Sequence, residues 1–254
     1  MLTTAVQDLG FVSLAVPGWE LVNGLGQGRF SSVYSCRNCS TINADLYVLK
    51  VFRGDSKHLA ITEKIVLTQL RDMNVGNIPI FRELHETADF NALILTPLGV
   101  TVLPCAVNSY VTPRMIVTLL QVIRSAHNCG WIHRDIKPDN IFFDRNDARR
   151  IVLNDWSSAA RTGIECFYLG TKVFGDPPNS KNRHIPTPQL DLRCLVRTAF
   201  CLSKQRLPIL GEGAAVEEYW ARIGQEHPPV ALAMGLADSS NYDALVEFFE
   251  TRWL

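Results

Sequence analysis

Five short stretches dominated by apolar residues punctuate the first hundred positions: Trp19 to Leu25, Ser32 to Arg37, Leu46 to Phe52, Phe81 to His85 and Ala92 to Thr96. Gly and Asn turns separate several of them, so they read as strands. One helical pattern interrupts the series, from about Ser56 to Asp72. Its apolar residues Leu59, Val66, Leu67 and Leu70 fall on one helical face. Glu63, four residues after Leu59, lies on that same face. A carboxylate among core-facing positions calls for a partner.

The period changes after Gly99. Thr112-Pro113 reads as an N-cap followed by proline at the first helical position. Met115, Ile116, Leu119, Leu120, Val122, Ile123 and Ala126 then mark a buried helix that ends near Gly130. Further helical patterns run from Asp191 to Leu202, Ala214 to Ile223, Val230 to Ala237 and Tyr242 to Trp253. The expected fold class is α+β: a small β-rich part precedes a larger helical part, with a hinge near Leu95 to Thr101.

Composition narrows the function classes. The chain has 254 residues, 47% of them hydrophobic, which allows a sizeable core. Lys plus Arg and Asp plus Glu are both 25, so no global charge draws the chain to nucleic acid or acidic lipid. No run approaches the roughly 20 apolar residues of a membrane span. Met1 to Pro17 lacks a basic n-region and does not read as a secretion signal. The expectation is a soluble, intracellular protein. Seven scattered Cys suit a reducing compartment. Cys36 and Cys39 form a C-x-x-C pair with no second pair to complete a zinc site, and read as free thiols in a hairpin.

Four elements carry candidate chemistry. The stretch Gly26-Gln27-Gly28-Arg29-Phe30-Ser31-Ser32-Val33 lies between two strand patterns. Its glycines let the backbone approach phosphate oxygens, although a Gly-rich hairpin alone is also a plain turn. A strand follows it, which excludes a dinucleotide-binding fingerprint, and no Gly-Lys-Ser/Thr follows, which excludes a P-loop. Lys50 stands alone in the apolar strand Tyr47 to Phe52. Burying it is costly without a partner, and Glu63 could be that partner; otherwise it snorkels to the strand edge.

The third element is His133-Arg134-Asp135-Ile136-Lys137-Pro138-Asp139-Asn140. Asp135 can take a proton from a hydroxyl nucleophile, and Asn140 can offer a carbonyl oxygen to Mg²⁺. Lys137 can neutralise charge building on a phosphoryl group. Asp155 is the fourth, at the end of the apolar run Ile151-Val152-Leu153. Its carboxylate can hold Mg²⁺ against phosphates.

In order and spacing these elements resemble the signature set of the protein kinase family, over about Leu21 to Trp253. The resemblance implies a bilobal fold: an N-terminal extension over 1–18, an N-lobe over about 19–97 and a somewhat shortened helical C-lobe over about 98–254. It implies that Gly26, Gln27, Gly28, Phe30 and Val33 cover ATP phosphates and adenine, and that Lys50 contacts the phosphates and pairs with Glu63. Asp135 would be the catalytic base, Lys137 would steady the γ-phosphoryl group, and Asn140 and Asp155 would hold Mg²⁺, with Mn²⁺ as an alternative ion. Leu95 would be gatekeeper, Thr96 and Leu98 would offer backbone groups to adenine, and Val48 and Phe142 would sandwich the ring with Val33. His133, Trp156, Leu67 and Leu84 would stack as a spine between lobes, and Asp191 would anchor the catalytic loop. Lys137 is similar to its counterpart in Ser/Thr kinases, so the substrate implied is a Ser/Thr hydroxyl of a protein, with no nucleic acid partner. Two other readings stay open: a nucleotide-binding pseudokinase scaffold, and a small-molecule phosphotransferase, against which Lys137 argues.

The sequence departs from the family pattern at identifiable places. The metal-binding tripeptide is Asp155-Trp156-Ser157 where the family has Asp-Phe-Gly, so the Trp156 N–H needs a partner. Gly170 to Pro178 resembles the end of an activation segment, with Pro178 where the family has Glu, so the lower lobe must be held differently. Val48 narrows the adenine pocket. Arg134 is expected to meet a phosphate on the activation segment, with Thr162 or Tyr168 as acceptor, and Thr171 to contact the catalytic loop. The stretch from Leu153 to Ala159 faintly resembles kinase domains of secreted crinkler-type effectors, but no delivery segment is visible before it.

Overall fold

Period-2 burial organises the N-terminal part. The computed structural model describes residues 16–40, 45–102, 113–175, 183–208 and 216–253. Strands β1 (Trp19–Gln27), β2 (Ser31–Asn38), β3 (Tyr47–Arg53), β4 (Ile80–Glu86) and β5 (Phe90–Thr96) form one antiparallel sheet in the order β1-β2-β3-β5-β4. Along β3 the side chains alternate between the two faces. Leu49 and Val51 join Tyr34, Cys36, Ala92 and Ile94 in an outer cluster. Val48 and Phe52 join Leu93 and Leu95 in the larger inner core. Helix α1 (Lys57–Asp72) buries Leu59, Glu63, Val66, Leu67 and Leu70 and packs on the sheet and on the turn Trp156–Ser158.

The chain leaves β5 through a cis Thr96-Pro97 bond and enters β6 (Gly99–Thr101). The helical part contains α2 (Pro113–Asn128), α3 (Pro188–Ser203), α4 (Val216–Glu226), α5 (Pro228–Asp238) and α6 (Tyr242–Thr251). Helix α3 is buried on nearly every side from Leu190 to Leu202 and contacts both α2 and α5. Short strands lie along the chain between α2 and α3: β7 (Trp131–Ile132), β8 (Ile141–Asp144), β9 (Asp147–Leu153), β10 (Ala160–Arg161), β11 (Cys166–Phe167) and β12 (Arg183–His184). They pair as β6-β8-β9, β10-β7 and β11-β12.

The architecture is therefore α+β, a small antiparallel-sheet lobe followed by a helical lobe, as the periodicities predict. Helix α3 starts at Pro188, before the expected Asp191, because proline suits the first helical turn. Thr112, Ala214 and Pro178, which carry other expectations, lie outside the described residues. Cys36 is a buried free thiol that burial pushes up to about 12, while the Cys39 thiol is exposed. Among the described residues no helix is long and apolar enough to cross a membrane.

Candidate active site

Register sets the first contact. Lys50 lies between Val33 and Leu93 of the neighbouring strands and projects from the inner face toward α1. Its Nζ meets Glu63 Oε2 and Asp155 Oδ1, each at 2.7 Å. Burial alone would lower the Lys50 pKa, but Asp155 and Glu63 overcome it and hold the ammonium above its usual range. Glu63 is fully buried, and burial raises its carboxyl despite Lys50. For Asp155, the Lys50 charge and hydrogen bonds outweigh burial and depress the carboxyl well below the ordinary aspartate value. The lone strand lysine thus has two partners.

Residues 155–157 lock onto this pair. Glu63 Oε1 accepts the Trp156 backbone N–H at 3.1 Å. The Ser157 hydroxyl donates to Asp155 Oδ1 at 2.6 Å. Trp156 is fully buried, and its indole N–H donates to the Leu153 carbonyl at 2.9 Å, which supplies the partner that the sequence called for. The His133 ring packs edge-on to Trp156 with centroids 4.5 Å apart. His133 Nδ1 accepts the Asp135 N–H, which assigns the proton to Nε2, donating to the Asn154 carbonyl at 2.9 Å.

Asp191 organises the loop from below. Its two oxygens accept the backbone N–H groups of His133 (2.6 Å) and Arg134 (2.7 Å), and His127 Nε2 donates at 2.9 Å. The other ring nitrogen of His127 meets the Tyr242 hydroxyl at 2.5 Å, so the loop is linked to α6. These bonds to the ionised form outweigh burial and depress Asp191, while burial and the Asp191 charge push the Tyr242 phenol up to about 12. Held this way, Arg134 takes a left-handed φ of 70°, as does Asp155 at 60°. Such conformations persist only where the surroundings fix them.

Asp135 is the point of convergence. Asn140 Nδ2 donates to its carbonyl (2.8 Å) and to Oδ2 (3.0 Å). Lys137 Nζ lies 2.9 Å from Oδ2 and donates to Thr171 Oγ1 at 2.8 Å. The Thr171 N–H donates to Asp135 Oδ1 at 2.7 Å. Thr171 therefore makes the contact with the catalytic loop expected of it.

Arg134 is arranged differently from the expectation. Its guanidinium is buried and donates to Ser158 O (2.5 Å), Phe167 O (2.7 Å) and Cys166 Sγ (2.9 Å). Two of the three guanidinium nitrogens, Nε and Nη1, are thus engaged by backbone carbonyls of the segment. Tyr168 is also buried, with its hydroxyl aimed at the Thr171 carbonyl at 3.4 Å. A Cβ at Gly170 would collide with the Arg134 carbonyl oxygen, and one at Gly175 with the Tyr168 hydroxyl, so glycine fits both positions. Thr162 is exposed.

The end of the segment is gripped by two side chains that the sequence did not single out. Arg197 Nη1 donates to the Phe174 carbonyl at 2.8 Å, and the Trp220 indole N–H donates to the Val173 carbonyl at 2.7 Å. The guanidinium also sits 5.4 Å from the Trp220 ring centroid. Arg197 had a visible signal, a cation flanked by apolar and small residues in the middle of the helix pattern from Asp191 to Leu202. Ser157 on Asp155 and Cys166 on Arg134 had none, because both are contacts across loops.

Around the cleft, Val48, Leu95 and Leu98 are buried, while Val33, Thr96 and Phe142 are partly so. The Leu98 carbonyl accepts the Arg145 N–H at 3.0 Å. The Gly26 to Gly28 turn closes with a Gly28 N–H bond to the Ser31 carbonyl at 2.8 Å, next to Phe30. Gln27 pairs with Ser32 at the end of β1.

The protein kinase domain model matches residues 19–192. The chain is 31% identical over 172 residues to cyclin-dependent kinase-like 1 of Caenorhabditis elegans, covering 63% of this chain and 47% of that one. It is 26% identical over 149 residues to casein kinase II subunit alpha' of Saccharomyces cerevisiae, covering 57% and 42% respectively. The chain spans less than half the length of these curated relatives. The structure of the Cydia pomonella granulovirus kinase PK-1 superposes with a TM-score of 0.72 at 17% identity, over 96% of this chain and 99% of that one, a likeness of fold. With the domain model matched through β1 to the start of α3, the chain belongs to the protein kinase family.

Proposed function

We propose that the chain is an ATP-dependent protein kinase that phosphorylates Ser or Thr hydroxyls of protein substrates, with residues 19–254 as the kinase domain. The observation that carries this reading is the convergence of Lys137, Asn140 and Thr171 on the Asp135 carboxylate. Asp135 would accept the proton of the acceptor hydroxyl as its oxygen attacks the γ-phosphorus. Lys137, 2.9 Å from that carboxylate, would steady the transferring group. Lys50, held by Glu63, would contact the α- and β-phosphates. Gly26, Gln27, Gly28 and Phe30 would close over them, with Val33, Val48, Leu95, Thr96, Leu98 and Phe142 around adenine.

The oxygen donors fit a magnesium ion. The Asn140 nitrogen is spent on Asp135, so its carbonyl oxygen is the atom left to bind a cation. Asp155 Oδ1 is spent on Lys50 and Ser157, which leaves Oδ2. Two protein oxygens suit Mg²⁺, which keeps water and phosphate ligands for the rest, and the same donors accept Mn²⁺. Bound metal would neutralise charge on the phosphate oxygens.

Transfer of labelled γ-phosphate to a generic protein substrate tests the reading. Loss in both Asp135→Asn and Lys50→Met supports it; equal counts in wild type and variants would mean a contaminating kinase. A second reading, a nucleotide-binding scaffold with little turnover, is favoured by Ser157 standing where the family has glycine. It predicts a melting shift with ATP and Mg²⁺ but no transfer.

A further inference from the structure

Asp191 Oδ2 carries two bonds at once. It accepts the His133 backbone N–H at 2.6 Å and the His127 Nε2–H at 2.9 Å. Two histidines meet at one oxygen, so the place of the His127 ring bears on the place of the catalytic loop. The side chains of His127 and Asp191 are only 5% and 1% exposed. At that depth a lost partner is not replaced by bulk water.

With its proton on Nε2, His127 keeps a lone pair on Nδ1. The Tyr242 hydroxyl stands 2.5 Å from that nitrogen and donates to it. The phenol stays protonated well past neutral pH, because burial and the Asp191 charge push it up to about 12. Tyr242 is fixed in its turn. It opens α6, and Asn241 just before it caps that helix by accepting the Ala244 N–H at 3.0 Å. Arg124 of α2 pairs with Asp243 at 2.6 Å and lies 5.5 Å from the Tyr242 ring centroid. An unbroken series of hydrogen bonds therefore runs from Tyr242 through His127 and Asp191 to the backbone of His133 and Arg134, next to Asp135. Helix α6 lies beyond residue 192, where the match to the protein kinase domain ends, so its tyrosine is no part of the matched pattern.

We propose that Tyr242 is a positioning residue for phosphoryl transfer: through His127 and Asp191, its hydroxyl fixes the backbone that carries Asp135. The proposal rests on the protein-kinase reading of that site. The hydroxyl reaches the loop only through two intervening side chains, so its loss should act on kcat and leave the KM for ATP and for the protein substrate unchanged.

Tyr242→Phe removes the hydroxyl and keeps the ring. Its kcat should fall about tenfold, less than the ~100-fold that a misplacement of 1 Å can cost. The backbone amides of His133 and Arg134, followed by NMR, should exchange faster, while those of β3 and β5 keep their wild-type rates. In a His127→Phe background the same substitution should have no further effect on kcat, because the bond it removes is already gone. Phe249→Leu, a core substitution farther along α6, should lower the melting temperature at least as much, yet leave kcat and the two amides as in wild type.

An unchanged kcat in Tyr242→Phe would overturn the proposal. So would an equal fall of kcat in Phe249→Leu, since the hydroxyl would then matter only through the stability of α6. Additive losses in the double variant would overturn it as well. If wild type transfers no phosphate, the kinase reading fails, and the two amides decide the link by themselves: faster exchange in Tyr242→Phe supports it, and unchanged exchange sinks it.

Discussion

Ser157 and Lys50 share one oxygen: both donate to Asp155 Oδ1, at 2.6 Å and 2.7 Å. The glycine usual in the family at this position could not supply the hydroxyl. Ser157 is buried, while the Asp155 side chain stays about a third exposed. Removing only the hydroxyl, in Ser157→Ala, should cost about 1.5–3 kcal/mol of stability, the range for hydrogen bonds to charged groups. Ser157→Gly should cost a further ~0.5–1 kcal/mol for the added backbone freedom. Urea denaturation of the three proteins measures both steps; equal midpoints would show that the bond contributes nothing.

The buried pair makes a sharper prediction. Lys50→Met strands Glu63 and should cost about 3–5 kcal/mol, the scale for removing one partner of a buried ion pair. Lys50→Met/Glu63→Leu should recover only part of that stability, because the buried Trp156 N–H loses its Glu63 Oε1 acceptor, while phosphate transfer stays absent. The sign of the pH effect follows from Glu63, whose carboxyl is already raised by burial. Without Lys50 it rises further, so folded Lys50→Met holds a proton that the unfolded chain has released. Its stability should be greatest below the ordinary glutamate value of 4.5 and fall as pH rises above it. Chemical denaturation from acid to neutral pH checks this.

Asp191 titrates with the opposite sign. Its folded carboxyl lies below the ordinary value of 3.8, so its contribution is complete above that pH and is lost as pH falls toward the depressed value. Asp191→Asn should flatten this acid limb of the stability curve. It should also be destabilised at neutral pH by about 1–3 kcal/mol, because an amide NH₂ would face one of two backbone donors. Melting temperature followed from neutral pH down through the aspartate range reports both effects.

Arg197 and Trp220 make the last prediction, about the grip on the segment that bears Thr171. Trp220→Phe keeps the aromatic bulk but leaves the Val173 carbonyl without the indole donor, and should cost about 1–3 kcal/mol. Arg197→Met should cost a similar amount and loosen Phe174. Faster amide hydrogen exchange over 170–175 in both variants, with exchange in β3 and β5 unchanged, is the expected signature.

Much of this was legible in the chain. The five strands of the N-terminal sheet and the helices appeared as periods of two and 3.6, because each element has one face to bury. Glu63 was marked as a carboxylate on an apolar helical face, and it is fully buried against Lys50. The strands β7, β10, β11 and β12 were not visible, since two residues carry no period. The hydrogen bonds that hold Arg134, Ser157 and Val173 were not visible either. They join backbone carbonyls and side chains brought together only by the tertiary fold.

Arg134 has one more consequence. Its Nε and Nη1 donors are taken by the carbonyls of Ser158 and Phe167 and by Cys166 Sγ, all within the same chain. A guanidinium satisfied in this way needs no added anion to stay in place. The turn that carries Asp135 is thereby braced at Arg134 by bonds made on folding.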